Sequence, residues 1–494
     1  MPAMTTASAC PAVRAPRRPT RPTRASRLAL LALPLAALLL PACSGPRSAG
    51  SEPRPERIQP VSRAGDGSPS AGLGRDFHAG RRALLAERLG DHGVVVMRGL
   101  PETRGYTEFR QDKNFWYLTG VESPNVTLVM DLDTGREILF VPESNSMKES
   151  WEGELWDSDD DWIAPLTGIA EVRPNSQLMA TLGELLPLRG TAFVSRTPWV
   201  TVSGCFDRAS PADKAQAKDP LDGRPSREDA LAGNLGESFG VKVEDLAPTL
   251  GEIRRVKTQI ELAALRRAAD SGARALREAM ASTRPGVGEW EIDALLGFEQ
   301  QLEGADGMAY HAIVGSGHNA CVLHYSASSR AMQDGELLLV DAGPEVDHYT
   351  TDITRTWPVN GKFTPAQAAQ YDAVLEAQQA AIDAVRPGIT MAELGGIANG
   401  ILIERGYEHM IRHGVCHYVG LEVHDSGSYG KPLEPGVVIT VEPGLYDDDT
   451  GFGVRIEDVI VVTEDGCEVI TRGVPVDRAS IEALVGRPGR LQAR

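Results

Sequence analysis

Basic charge is in short supply. The 494 residues carry 50 Lys and Arg against 68 Asp and Glu, a formal net charge of −18. A chain so acidic has no general attraction to phosphate backbones, and nucleic acid is not an expected partner. Long apolar runs are also lacking: the stretch from Leu28 to Leu40 falls short of the roughly 20 residues that a spanning helix needs. Cysteine is scarce, six in all, too few to be the main framework of so large a chain. What is present is ordinary. Hydrophobic residues make up 42% and charged residues 24%, which excludes a wholly disordered, collagen-like or polytopic membrane protein. At roughly 150 residues per domain, the length predicts two domains plus extra segments.

One of those segments stands at the start. Arg14, Arg17, Arg18, Arg21, Arg24 and Arg27 precede the apolar run, and no acid interrupts them. A basic stretch, a short apolar stretch and then small residues read as a secretory signal. The run ends Leu40-Pro41-Ala42-Cys43, which resembles the lipobox of bacterial lipoproteins, where the thiol is acylated and becomes the first mature residue. Residues 1–42 are therefore expected to be a lipoprotein-type signal peptide and Cys43 the lipidation site. The membrane is then met only through a lipid anchor. The expected location is the cell envelope, as a periplasm-facing or surface lipoprotein. Loss of the six arginines takes the mature charge from −18 to −24. Cys10 leaves with the signal, and Cys205, Cys321, Cys416 and Cys467 remain where disulfides are permitted, with no pairing evident from their spacing.

Residues 43–74 are rich in Ser, Pro, Gly and charge, cannot bury a core, and are expected to form a flexible tether. An N-terminal α/β domain is expected over 75–250. Its amphipathic opening includes Leu84, Leu85 and Leu89, and strands are predicted at Val94–Met97, Phe115–Leu118 and Val126–Met130. A second domain is expected over 251–486, with 487–494 as a tail. Thr258 and Glu261 have capping-box spacing at the head of a long helix. Thr364-Pro365-Ala366-Gln367 marks another helix start, and Pro387-Gly388 is expected to end that helix.

The second domain repeats itself. Arg284-Pro285-Gly286-Val287 recurs 102 residues on as Arg386-Pro387-Gly388-Ile389. Gly335 to Asp341 recurs 101 residues on as Gly436 to Glu442, and Leu323-His324 is answered 100 residues on by Val423-His424. Offsets this steady, in order, predict two similar halves related by an approximate two-fold axis. Within them, Asp341 ends the apolar run from Leu337, and Glu442 ends the run from Val437. A lone buried carboxylate is costly, so each must find a cation, a proton or water. Each half then turns back, through Tyr349–Thr354 in the first and Gly453–Glu457 in the second. Two hairpins, each with one acid per strand, are expected to bring Asp341, Asp352, Glu442 and Glu457 to one centre.

Four negative charges in one place demand positive charge. His417 offers a nitrogen ligand, and hard oxygens plus one imidazole suit two divalent ions, Mn²⁺ foremost, with Co²⁺ or Zn²⁺ also open. A structural zinc site would use a thiolate-rich set instead. Two such ions with a bridging hydroxide leave the cluster at about −1, and that hydroxide is the nucleophile of a two-metal hydrolase. Cys321 and Cys416 lie near His324 and His417 in sequence, but a cysteine-protease reading leaves the paired carboxylates unexplained.

Five ordered segments carry a family resemblance: Gly315-Ser316-Gly317-His318-Asn319 through Leu323-His324-Tyr325; Asp341-Ala342-Gly343 through Asp352-Ile353-Thr354-Arg355-Thr356; His413-Gly414 through His424-Asp425; Glu442-Pro443-Gly444-Leu445-Tyr446; and Arg455-Ile456-Glu457-Asp458. With them the sequence resembles the aminopeptidase P group of the pita-bread metallopeptidases. Phe109-Arg110-Gln111-Asp112 leading to Phe115–Gly120 resembles the same group's N-terminal domain. The resemblance implies an α+β pita-bread catalytic domain with an internal pseudo-two-fold repeat, preceded by a smaller α/β, creatinase-like domain. It implies that Asp341 binds one metal, His417 and Glu442 bind the other, and Asp352 and Glu457 bridge them. It implies release of the N-terminal residue from peptides with proline in second position, with His424 donating to the scissile carbonyl. His324 and His413 would line the pocket, Glu442 would shuttle a proton, and Arg455 and Tyr446 would support the site. Two alternatives stay open: a prolidase acting on Xaa-Pro dipeptides, and a noncatalytic peptide-binding module. Homo-oligomers, dimer or tetramer, built partly through the N-terminal domain, are also implied.

Overall fold

The computed structural model describes residues 71–153 and 155–493. The expected signal peptide, Cys43 and nearly all of the tether lie outside those residues. Among the described residues, no helix is long and apolar enough to cross a membrane.

The N-terminal half is built on a six-stranded mixed sheet: β1 (Val94–Arg98), β2 (Thr127–Asp131), β3 (Arg136–Val141), β4 (Glu171–Pro174), β5 (Thr191–Val194) and β6 (Lys242–Asp245), in the order β4-β3-β2-β1-β5-β6. The alternation of strand side chains divides its core in two. Val95, Met97, Leu128, Met130, Leu139 and Val141 face one layer of helices with Leu85 and Phe115. Val94, Val96, Val129, Ile138 and Phe140 face the other, with Leu182, Leu186 and Leu235.

One predicted strand is a helix. Residues Lys113–Thr119, which include Phe115–Leu118, form a buried helix. Asp112 caps it by accepting a hydrogen bond from the Phe115 amide at 2.9 Å, and Gly120 closes it at φ 69°. A run of aromatics favours strands only where a pleated surface receives them. Here the cap and the glycine decide, and tertiary packing buries every side of the helix.

In the C-terminal half, the helix Gln259–Ser282 opens with the expected Thr258–Glu261 capping box. The helix Pro365–Ala384 opens with Thr364 and Gln367 and ends three residues before Pro387. Around these helices lie β7 (Gly307–Met308), β8 (Ile313–Ser316), β9 (Leu337–Asp341), β10 (Pro344–Val346), β11 (Tyr349–Thr350), β12 (Thr354–Pro358), β13 (Val438–Val441), β14 (Gly444–Asp447), β15 (Phe452–Arg455), β16 (Asp458–Val462) and β17 (Cys467–Val469).

The repeat is visible in the pairing, with more detail than the simple hairpin expected. β9 pairs antiparallel with β12, joining Asp341 to Thr354, and β13 pairs antiparallel with β16, joining Val441 to Asp458. Between each pair of long strands a small hairpin is inserted, β10-β11 in the first half and β14-β15 in the second. Asp352 and Glu457 therefore sit just ahead of the return strands rather than within them. The first turn is tight: a Cβ added at Gly343 would lie 1.8 Å from the Thr351 carbonyl oxygen, so only glycine fits there.

The two halves of the described chain are joined by buried charge. Lys113 Nζ donates to Glu345 Oε2 at 2.8 Å with neither side chain exposed. Arg254 meets Asn114 Oδ1 at 2.7 Å and Glu422 Oε1 at 2.9 Å, and also reaches Asp425. The His348 ring stacks on Trp116 with centroids 3.9 Å apart.

Candidate active site

Four acids, three of them buried, converge where the strand ends of the two halves meet. Asp341 ends β9, Glu442 follows β13, and Asp352 and Glu457 precede β12 and β16. The halves are stitched at this point: the Glu457 amide donates to the Thr354 carbonyl at 3.0 Å, and Thr354 Oγ1 donates to Glu457 Oε2 at 2.6 Å. Tyr310, between β7 and β8, donates to Asp341 Oδ1 at 2.5 Å and also contacts Asp352 Oδ1. Arg455 Nη2 meets Asp341 Oδ2 at 2.5 Å.

His417 faces the same centre. Its Nδ1 lies 3.0 Å from the Tyr418 carbonyl, which can only accept, so Nδ1 carries hydrogen and Nε2 is the nitrogen turned to the acids. That Nε2 lies 3.5 Å from Asp352, 3.5 Å from Glu442 and 3.8 Å from Glu457. Ligand atoms of Asp352, His417 and Glu457 all lie within 4.8 Å of one another. All five side chains predicted as metal ligands thus share one centre.

Charge is unbalanced there. Burial, reinforced by Asp341, raises the Asp352 carboxyl well above the usual carboxylate range. Burial and Asp352 do the same to Glu457. Burial pushes Asp341 up too, but Arg455 and Tyr310 outweigh it and hold this acid below its ordinary value. Glu457 Oε1 is buried with no hydrogen-bond partner. His417 Nε2 faces carboxylate oxygens, and one of them, Glu457 Oε1, is reached by no donor. Divalent cations fit that ligand set: hard oxygens and one imidazole.

Residues 263–464 match the family model of metallopeptidase family M24, and residues 78–193 match that of the aminopeptidase P N-terminal domain. The Xaa-Pro aminopeptidase of Escherichia coli K12 is 32% identical over 447 residues, which covers 82% of this chain and 96% of that protein. The chain belongs to metallopeptidase family M24. The human Xaa-Pro dipeptidase, a further similar protein, is 30% identical over 487 residues, covering 82% of this M24 chain and 92% of its own. The structure of aminopeptidase P from E. coli with the inhibitor Pro-Leu aligns with a TM-score of 0.71 at 32% identity, covering 83% of this chain and 98% of the other. The M24 chain accordingly has a pita-bread catalytic domain behind an aminopeptidase P N-terminal domain, and membership of this metallopeptidase family implies divalent metal ions.

The remaining candidates of the M24 site form its rim. Arg455 Nη1 donates to Tyr446 Oη at 2.8 Å, and Tyr446 Oη donates to His413 Nε2 at 2.7 Å. His413 Nδ1 donates to the Gly414 carbonyl at 2.7 Å. This relay fixes the His413 ring and aims Arg455 at Asp341. Burial pushes the Tyr446 hydroxyl up to about 12, so it remains a donor. The His424 ring lies 4.2 Å from that of His417, centroid to centroid. His324 is more open, with its Nδ1 2.9 Å from Arg208 Nη2. Burial lowers the basicity of His324, His413 and His424 alike.

Three neighbours of these groups escaped the sequence reading. Tyr310 lies in a connection with no motif of its own. Asp207 and Arg208 come from the N-terminal half, and the contact of Asp207 with His424 spans 217 residues.

Proposed function

We propose that the protein is a Xaa-Pro aminopeptidase, releasing the N-terminal residue from peptides whose second residue is proline. The observation that carries this reading is the gathering of four carboxylates, Asp341, Asp352, Glu442 and Glu457, and the His417 ring about one centre, with Glu457 Oε1 left without a partner, in a chain that spans nearly the full length of an Xaa-Pro aminopeptidase. Asp341 would hold one ion, His417 and Glu442 the other, with Asp352 and Glu457 shared. The donor set favours Mn²⁺, with Co²⁺ or Zn²⁺ as substitutes. Ions bound there supply Lewis acidity and an acidified water.

The chain's own residues do the rest. The Xaa-Pro bond lacks an N–H, so a site for it must hold the substrate through other groups. His324, His413 and His424 line the peptide side, and a cleft of about 660 Å³ opens beside His424, within the range of ligand sites. Glu442, whose Oε2 lies 3.7 Å from His413 Nδ1, carries a proton toward the leaving imino nitrogen. Arg455 orients Asp341 and Tyr446.

The chain is further read as an envelope lipoprotein anchored through acylated Cys43, supported by the basic, apolar and cysteine order of its first 43 residues. A homo-oligomeric state, dimer or tetramer, rests on the family resemblance alone.

Metal-loaded protein is expected to cleave Xaa-Pro-Xaa tripeptides and longer peptides and to lose activity on chelation. Cleavage of Xaa-Pro dipeptides alone would favour the dipeptidase reading, which the human relative supports. Failure on both classes with the ions bound would sink the peptidase reading and leave a binding module.

A further inference from the structure

The helix Phe206–Lys218 belongs to the N-terminal half, yet its first turn stands against the C-terminal site. The approach is anchored. Ser203 Oγ donates to the Met308 carbonyl at 2.6 Å, the buried Cys205 precedes the helix, and the Phe206 amide donates to Glu422 Oε2 at 2.7 Å. Glu422 is itself held by buried Arg254. The next two residues each meet a pocket histidine, and both do so at Nδ1: Asp207 Oδ2 lies 2.7 Å from His424 Nδ1, and Arg208 Nη2 lies 2.9 Å from His324 Nδ1.

Adjacent side chains of opposite charge thus address the same nitrogen on two different rings. A carboxylate can only accept, so the His424 nitrogen facing it must carry hydrogen. A guanidinium can only donate, so the His324 nitrogen facing it must offer a lone pair. We propose that Asp207 and Arg208 are positioning residues that impose opposite tautomers on the two histidines, keeping a proton on His424 Nδ1 and keeping His324 Nδ1 bare. Neutral His324 then presents Nε2–H to the pocket, and His424 is held by Asp207 at Nδ1 so that its Nε2 faces the pocket.

The contribution to stability is small. Asp207 and Arg208 are both solvent-exposed, and exposed pairs of this kind add little to folding. What the contacts fix is the direction of two rings, which matters to a reaction far more than to folding. The other two rings of the site are fixed by backbone carbonyls, His413 by Gly414 and His417 by Tyr418. His324 and His424 are the pair whose orientation depends on side chains from the other half of the chain.

The inference rests on the peptidase reading for its consequence, and its test separates the two. In zinc-loaded protein labelled with ¹⁵N-histidine, long-range proton–nitrogen correlation reads each ring nitrogen without substrate, with His324→Gln and His424→Gln assigning the signals. The expected result is a protonated Nδ1 in His424 and an unprotonated Nδ1 in His324; the opposite state at either ring overturns the proposal. In kinetics on an Xaa-Pro-Xaa tripeptide, Asp207→Ala and Arg208→Ala are each expected to lower kcat about 10-fold with KM changed less than about twofold. Asp207→Asn, which still accepts, and Arg208→Lys, which still donates, are expected to restore most of the loss, with Tm unchanged in all four. Wild-type kcat in the alanine variants, or a loss confined to KM, overturns the proposal. Failure of the wild-type enzyme to cleave any Xaa-Pro peptide overturns the peptidase reading and leaves the nitrogen readout standing.

Discussion

Two clusters of charge are buried in this molecule, and they solve the cost of burial in opposite ways. In the first, Arg254 and Lys257 face Glu422 and Asp425, all four side chains only 1% exposed. Cations and anions balance there without outside help. In the second, Asp341, Asp352, Glu442 and Glu457 face one guanidinium, Arg455, and one imidazole, His417. The first cluster ties the N-terminal half to the catalytic half; the second leaves charge for something else to neutralise. Burial of ionised groups is therefore no sign of a functional site until the partners have been counted.

The comparison breaks if the two clusters respond alike to substitution. The largest effect is expected at the unbalanced one: Asp352→Ala should abolish both metal binding, by calorimetric titration, and peptide cleavage, while leaving the fold intact by circular dichroism. Second in size, Arg254→Ala should cost about 3–5 kcal/mol in denaturant unfolding, because it strands Glu422 without its guanidinium and leaves Asp425 with Lys257 alone. A balanced cluster is weakened by losing a member, whereas an overcharged one in the absence of metal is relieved by it.

The smallest effect concerns pH in metal-free protein. Folding raises the pKa of Asp352 and Glu457, so the native state binds more protons than the unfolded chain above the ordinary carboxylate range. Stability from these groups is therefore present at acid pH and falls as pH rises through that range toward their raised values. Asp341, shifted the other way, opposes part of this slope. Melting curves in chelator should show Tm falling with pH. Glu457→Gln should flatten the fall, and bound metal should remove it by holding both acids ionised. A metal-free Tm indifferent to this substitution would mean that the acids are already neutralised from within.

Much of the site was legible because it is repeated. An acid at the end of an apolar run is common, but Asp341 and Glu442 ended matching runs 101 residues apart, and the return segments carried Asp352 and Glu457. The helices were readable where caps were written locally, as at Thr258 and Thr364. Lys113–Thr119 misled because Phe115–Leu118 has the composition of a strand, while its fate depends on packing against both halves. Tyr310, Asp207 and Arg208 were out of reach for a related reason: nothing near them in sequence names the groups they touch. The inserted hairpins β10-β11 and β14-β15 were missed because the repeat shows where the chain turns and says nothing of what the turn contains.

The seam at Thr354 and Glu457 has a consequence for assembly. An oxygen of Glu457 is oriented by a hydroxyl from the opposite repeat, and Arg355 Nη1 donates to the Glu457 carbonyl at 2.6 Å from the same strand. Neither repeat can shape the ion-gripping clasp by itself. A competent grip on cations therefore needs both duplicates docked, so ion uptake is expected to report the finished seam.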